Sequence, residues 1–195
     1  HGDELLGGLK KAGFDPNIIL MGDGEEHKTP DEVISLCTQL IEGGIDRNSL
    51  VLAFGGGVIG DTGGFVAATV MRGVKYIQIP TTLIAQADAS IGGKVGVNLP
   101  AGKNLFGAFH HPEMVVINPR VLYTLSEIDF SSGMAEVIKS AIIGSPHLMD
   151  LLEECPAKLK EIPLEKLEDI IYHAAHVKVD IVSRDVHESG ERMKL

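Results

Sequence analysis

Gly55, Gly57 and Gly60 satisfy G-x-G-x-x-G within "FGGGVIGDTGG" (residues 54–64), where an apolar run gives way to a segment of small residues. Glycines at such a point let a backbone approach a pyrophosphate closely. The first amides of a following helix add N–H donors at the positive end of its dipole. Asp61 is out of keeping with a pyrophosphate, since like charges repel, and suits a hydrogen bond on a ribose or nicotinamide side better. An ordinary dinucleotide unit also carries an acid about twenty residues downstream, yet none occurs between Asp61 and Asp88. On local chemistry a nucleotide cradle and a structural turn both stay open.

Between Thr62 and Pro112 the cations Arg72, Lys75, Lys94 and Lys103 face a single carboxylate, Asp88, giving +3 inside a chain of net charge −10. Lys94 and Lys103 sit in "GGKVG" and "AGKNLFG", read as glycine-flanked loops whose backbone can close around a small anion. The overall acidity excludes a general nucleic-acid binder and favours a small anionic ligand, with chance clustering as the competing reading. Glu136 and Lys139 stand i and i+3 on one helix face, able to enter one cleft or to form a surface ion pair. His173 and His176 share that spacing and read as helix surface. His110 and His111 read as packing or phosphate contacts. Cys37 and Cys155 lack metal-site spacing and read as reduced, buried thiols.

The elements that must position these residues follow from pattern. A chain of 195 residues with 44% hydrophobic and 23% charged content is long and apolar enough to fold. No apolar run reaches bilayer length and no signal-peptide pattern opens the chain, which points to the cytoplasm and to no membrane partner. The chain begins at His1 and goes straight into helix-like "GDELLGGLKKAG", so a start inside a larger protein is expected. Strands are predicted for "NIILMG" (17–22), "SLVLAF" (49–54), "YIQIP" (76–80) and "MVVIN" (114–118). Residues 29–44 read as a helix capped by Thr29, with Pro30 in its first turn and Gly43 and Gly44 at its end. "IGDTGGFVAATVM" is a small-residue helix that can pack tightly on a sheet. From about Ser126 the pattern is helical throughout, over 131–144, 147–155 and 164–185. The expected fold is therefore α/β: a Rossmann-like parallel-sheet domain over residues 1–125, lacking its first strand, and the beginning of an all-helical domain over 126–195.

Four segments in one order, "GGGVIGDTGGFVAATVMRG" (55–73), "QIPTTLIAQADASIGGKVGVN" (78–98), "GKNLFGAFHHP" (102–112) and "GMAEVIK" (133–139), closely resemble the 3-dehydroquinate synthase family. The likeness runs from about residue 22 to the end. It implies an NAD- and zinc-dependent (or cobalt-dependent) lyase of the shikimate pathway, which forms 3-dehydroquinate from 3-deoxy-arabino-heptulosonate 7-phosphate. In that family NAD transiently oxidises a ring hydroxyl, phosphate is eliminated, the ketone is reduced again and an aldol closure makes the carbocycle.

Carried over residue by residue, the resemblance gives NAD the contacts Glu25, Lys28, Gly56, Gly57, Val58, Asp61, Thr81, Thr82, Asp88, Lys103 and Thr124. It gives the substrate Arg72, Asp88, Lys94, Lys103, Asn104, Lys139, Lys178 and Arg192. Lys94 and Asn104 match the phosphate positions, and Arg72 matches an arginine that reaches the neighbouring subunit's phosphate, which implies a homodimer. Glu136 matches the first zinc ligand. The other ligands are histidines of a segment that follows "ESGERMKL" in the family, so they are expected beyond Leu195 and the residues present are expected to be inactive alone. Taken by themselves, Thr81 and Thr82 could equally cap a helix, and Glu25 and Lys28 could be a solvated loop. Three rival readings are a metal-dependent polyol dehydrogenase of the same architecture, another sugar phosphate cyclase, and a cofactor-binding remnant without turnover.

Overall fold

The computed structural model describes residues 1–190. Helix α1 (Gly2–Lys11) buries none of its side chains. The "NIILMG" run is extended chain and not the expected strand. Ile19 and Met21 pack against the α/β core while Ile18 and Leu20 lie exposed, so the period of two is there. A strand also needs a neighbour for its N–H and C=O groups, and among the described residues this run pairs with none.

Helix α2 (Pro30–Glu42) begins where its cap dictates, with Thr29 Oγ1 accepting from the Glu32 N–H at 3.2 Å. It ends in paired bonds from Ile45 N to Leu40 O and from Gly44 N to Ile41 O, closed by Gly44 at φ 85°. That left-handed residue is the reason for a glycine there.

Three parallel strands form the sheet in the order β1 (Leu50–Gly55), β2 (Lys75–Pro80), β5 (Met114–Val115). β1 and β2 run in register from Leu50↔Lys75 to Gly55↔Pro80, joined by the crossover helix α3 (Gly57–Thr69). The strand expected over 114–118 pairs at only two residues. Asn118 instead caps a 3-10 turn over Pro119–Thr124, its side chain accepting from Arg120 N at 3.1 Å.

The glycine-flanked loops expected around Lys94 and Lys103 are in fact strands. β3 (Lys94–Leu99) and β4 (Gly102–Phe109) form an antiparallel hairpin from Lys94↔Phe109 to Leu99↔Gly102. Glycines there serve the close approach of two strands. Gly96 faces Gly107, and a Cβ on Gly107 would lie 2.2 Å from Val95 O and 2.9 Å from Gly96 Cα. Both neighbours are backbone and cannot rotate away. Gly107→Ala is accordingly expected to destabilise the fold by about 2 kcal/mol, measured as a lower urea midpoint; an unchanged midpoint would contradict this account of the hairpin.

Past Ser126 the described chain is helical: α4 (Glu127–Gly144), α5 (Pro146–Glu153) and α6 (Leu164–Arg184). α4 starts at Glu127, ahead of the expected Ser131, because Ser126 Oγ accepts from Asp129 N at 3.1 Å. Phe130, Val137, Leu148, Leu167 and Ile170 build its core, together with Leu83 and Ala87 from the π-helical turn Ala85–Ala89 and its approach. A second core of Val33, Leu36, Phe65, Val66, Tyr76, Val95 and Val97 holds α2, α3, the sheet and the hairpin together. Both cysteines are free thiols, half-buried, and burial raises each thiol above its ordinary value. No helix among the described residues is long and apolar enough to cross a membrane.

Candidate functional site

β1 ends in Gly55, Gly56 caps α3 and Gly57 is its first residue, with Val58 half-buried behind it. The glycines divide their work. A Cβ on Gly60 would meet Gln78 Nε2 at 3.1 Å, one on Gly63 would meet Ala53 Cβ at 3.1 Å, and one on Gly64 would meet Val95 Cγ1 at 2.4 Å. Those three let α3 lie close on the strands, which leaves Gly55, Gly56 and Gly57 to make the turn itself. Thr81 N donates to Gly55 O at 2.9 Å, and Thr82 Oγ1 accepts from Ala85 N at 3.3 Å. Thr82 therefore does the capping that the sequence allowed for.

A hollow under the turn is lined by Gly56, Gly57, Asp61, Gln78, Ala85 and Ser90, among others. Ser90 Oγ and Gln78 Oε1 are buried there without a hydrogen-bond partner. Such atoms call for a polar occupant, because an unpaired buried acceptor or donor is costly. Sequence reasoning passed over both, and only the "DAS" step from Asp88 to Ser90 could have pointed to the serine.

Lys28 enters from the turn Glu25–His27 and is 4% exposed. Its Nζ donates to Asp61 Oδ2 and to Asn104 Oδ1, each at 2.6 Å. Burial raises the Asp61 carboxyl above its ordinary value; Lys28 counteracts this, and the charges of Glu25 and Asp88 add slightly to the rise. Asn104 sits on β4 at φ 56°, and Lys103 lies 3.8 Å from Glu25. Glu25, Lys28, Asp61, Lys103 and Asn104 are thus brought together from three separate elements.

A second cluster forms around Asp88 on the π-helical turn. Lys178 of α6 donates to Asp88 Oδ1 at 2.8 Å, and Lys139 of α4 lies 3.8 Å from the same oxygen. Lys139 also pairs with Glu136 along the helix, so the ion pair and the shared cleft coexist. Lys94 opens β3 and pairs with Glu188, an acid the sequence reading did not single out. Its loop position and lack of periodicity gave no signal for it.

Two expected residues, Arg72 and Thr124, stand apart from these clusters. Arg72 is exposed at φ 68°, one residue after Met71 at φ 52°. Thr124 makes a local bond to Val121 O at 2.8 Å and lies 3.0 Å from His1 Nε2. Arg192 lies outside the described residues. The histidines pack: His110 stacks on Tyr76 with ring centres 5.3 Å apart, and His173 stands edge-on to His147 at 4.7 Å.

Comparison with known proteins places this arrangement. Residues 18–132 match the family model for the 3-dehydroquinate synthase N-terminal region, and residues 133–195 match that for its C-terminal region. The chain is 45% identical over 194 residues to 3-dehydroquinate synthase of Synechococcus sp. (strain CC9605), covering 98% of this chain and 52% of that protein. It is 47% identical over 197 residues to the Prochlorococcus marinus (strain MIT 9313) enzyme of the same name, with the same coverage. The chain thus spans about half the length of the curated relatives it matches.

Among solved structures it is similar to 2-epi-5-epi-valiolone synthase from Streptomyces hygroscopicus subsp. jinggangensis 5008, with NAD+ and Zn2+ bound. The TM-score there is 0.91 at 30% identity, over 97% of this chain and 53% of that one. 2-Deoxy-scyllo-inosose synthase, complexed with carbaglucose-6-phosphate, NAD+ and Co2+, gives a TM-score of 0.82 at 30% identity, over 91% of this chain and 49% of that one. An iron-containing alcohol dehydrogenase shares the fold alone, with a TM-score of 0.73 at 16% identity over 92% of this chain and 56% of that one. The α/β sheet with its glycine turn and the matches along both regions agree: this chain belongs to the 3-dehydroquinate synthase family.

Proposed function

We propose that the protein acts as a 3-dehydroquinate synthase, a lyase that converts 3-deoxy-arabino-heptulosonate 7-phosphate to 3-dehydroquinate and phosphate. The observation that carries this reading is the Asp88 cluster. Asp88, Lys139 and Lys178 come from a turn and two helices far apart in sequence, yet they meet at one oxygen, on the turn whose Ala89 lines the hollow under the glycines. Half-buried ammonium groups gathered with a carboxylate in one cleft offer a small, multiply hydroxylated anion both charge and hydrogen-bond partners.

NAD fits the glycine turn, since Ser90 Oγ and Gln78 Oε1 offer unpaired polar atoms beside Gly56 and Gly57. When bound, it supplies reversible hydride acceptance at a substrate carbinol. Gly56, Gly57 and Val58 would line the pyrophosphate and Asp61 the ribose on the nicotinamide side, with Glu25 and Lys28 reaching the cofactor from the turn that Lys28 ties to Asp61 and not from the adenine side. Thr81, Thr82 and Thr124 complete the cofactor contacts. Lys94 and Asn104 hold the phosphate, with Lys103 between cofactor and sugar. Asp88 takes a substrate hydroxyl, while Lys139, Lys178 and Arg192 offset the substrate's carboxylate and hydroxyl dipoles.

A divalent metal is a different matter. Among the described residues no three His, Cys, Asp or Glu side chains stand together to hold one, and Glu136 is engaged by Lys139. Catalytic zinc takes three protein ligands, so the described residues do not fit that site and no step here runs through it. The division at residues 125 and 126, a cytoplasmic setting and a homodimer in which Arg72 serves the neighbouring site belong to the same reading.

Calorimetric titration separates the two parts of this assignment. Lys139→Met and Lys178→Met are each expected to weaken sugar phosphate binding about tenfold while leaving NAD affinity within about twofold. Equal loss of both ligands would sink the partition.

A further inference from the structure

Asn98 lies where the hairpin leaves its register. Val97 pairs with Phe106 and Leu99 with Gly102, so Asn98 alone faces the three residues Lys103, Asn104 and Leu105. The bulge frees its polar groups from the ladder. Its backbone N–H donates to Lys28 O at 2.9 Å. Its side-chain Oδ1 accepts from the Asn104 backbone N–H at 2.8 Å, and Nδ2 donates to Glu25 Oε1 at 2.8 Å. One residue thus touches the Glu25–Lys28 turn at both ends and pins Asn104 in its left-handed conformation, whose Oδ1 receives the Lys28 ammonium.

We propose that Asn98 is a positioning residue for the cofactor: it clamps the Glu25–Lys28 turn to the hairpin and so sets Lys28 between Asp61 and Asn104. The inference rests on the assignment of NAD to this site. Both halves of the amide are used, one as acceptor and one as donor, and that makes the role separable from bulk. In Asn98→Asp the acceptor for Asn104 survives, but the donor to Glu25 becomes a second carboxylate at hydrogen-bond distance. The charges facing that point are Glu25 itself, Lys103 on β4 and Lys28, with Asp61 of α3 behind Lys28. Two carboxylates so close cannot both ionise cheaply, and a shared proton restores an O–H···O bond between them.

The test measures NAD affinity of the natural protein and of Asn98→Asp, by calorimetry at about pH 8 and about pH 5. The variant is expected to bind about tenfold more weakly than wild type at the higher pH and within about threefold of it at the lower. Equal affinity at the higher pH, or the same deficit at both, would overturn the clamp. Asn98→Ala adds no charge and keeps the test open should the aspartate variant fail to fold. It is expected to bind weakly at both pH values, and wild-type affinity overturns the proposal. Absence of NAD binding by wild type itself overturns the cofactor assignment along with the clamp, whereas wild-type binding with unaffected variants removes the clamp alone.

Discussion

Lys28→Met is expected to destabilise the protein by about 3 kcal/mol near neutral pH. The ammonium is 5% exposed at its side chain, lies 2.6 Å from Asp61 Oδ2 and has Asn104 Oδ1 as its second partner. Methionine keeps most of the volume, so the effect comes from leaving a largely buried carboxylate without its cation. The pH dependence gives the sign. Burial already holds the Asp61 carboxyl above its ordinary value of 3.8, with Lys28 opposing the rise. A raised carboxyl penalises the folded state once it ionises. Its contribution to stability is therefore best below 3.8 and declines as pH rises through the folded value. Removing Lys28 lifts the folded value further and extends that decline upward. The stability difference between wild type and Lys28→Met should stay constant until pH passes the raised wild-type carboxyl value, grow above it, and level off above the variant's still higher value. Urea unfolding at a series of pH values measures it, and a difference that does not vary with pH would refute the pairing.

The second large effect is on turnover. Asp88→Asn keeps the side-chain volume and an acceptor oxygen but removes the charge on which Lys178 and Lys139 converge. Lys178 is 11% exposed at its side chain and would then sit beside another ammonium without its counterion. We expect phosphate release to fall about 100-fold, and NAD affinity to fall by a much smaller factor, since Asp88 is one cofactor contact among many and the glycine turn is untouched. Stopped assays of inorganic phosphate read the first quantity and calorimetry the second. Wild-type turnover in the variant would remove Asp88 from the working site.

What could be read from the residues depended on how local the determining physics was. α2 was legible because Thr29, Pro30 and Gly44 each act within a turn of the helix end. The glycine turn was legible as to place, since an apolar strand runs straight into it. The division of its glycines between turn and packing needed the positions of Gln78, Ala53 and Val95. The hairpin was missed because Gly96 and Gly107 look like loop punctuation, whereas they permit two backbones to touch across a ladder. "NIILMG" failed in the opposite sense: its side chains suit a strand, but pairing is a property of the neighbour.

The Asp88 cluster was accessible only through resemblance, because no spacing links residues 88, 139 and 178. Asn98 and Glu188 were missed for a related reason. Their significance lies in a register shift and a loop position, neither of which composition records.

Supplied with NAD, a divalent metal and 3-deoxy-arabino-heptulosonate 7-phosphate, the natural protein is expected to release one phosphate for each 3-dehydroquinate formed, with no net accumulation of NADH. NADH building up on a polyol substrate, with no phosphate released from the sugar phosphate, would contradict it and assign the fold to a dehydrogenase.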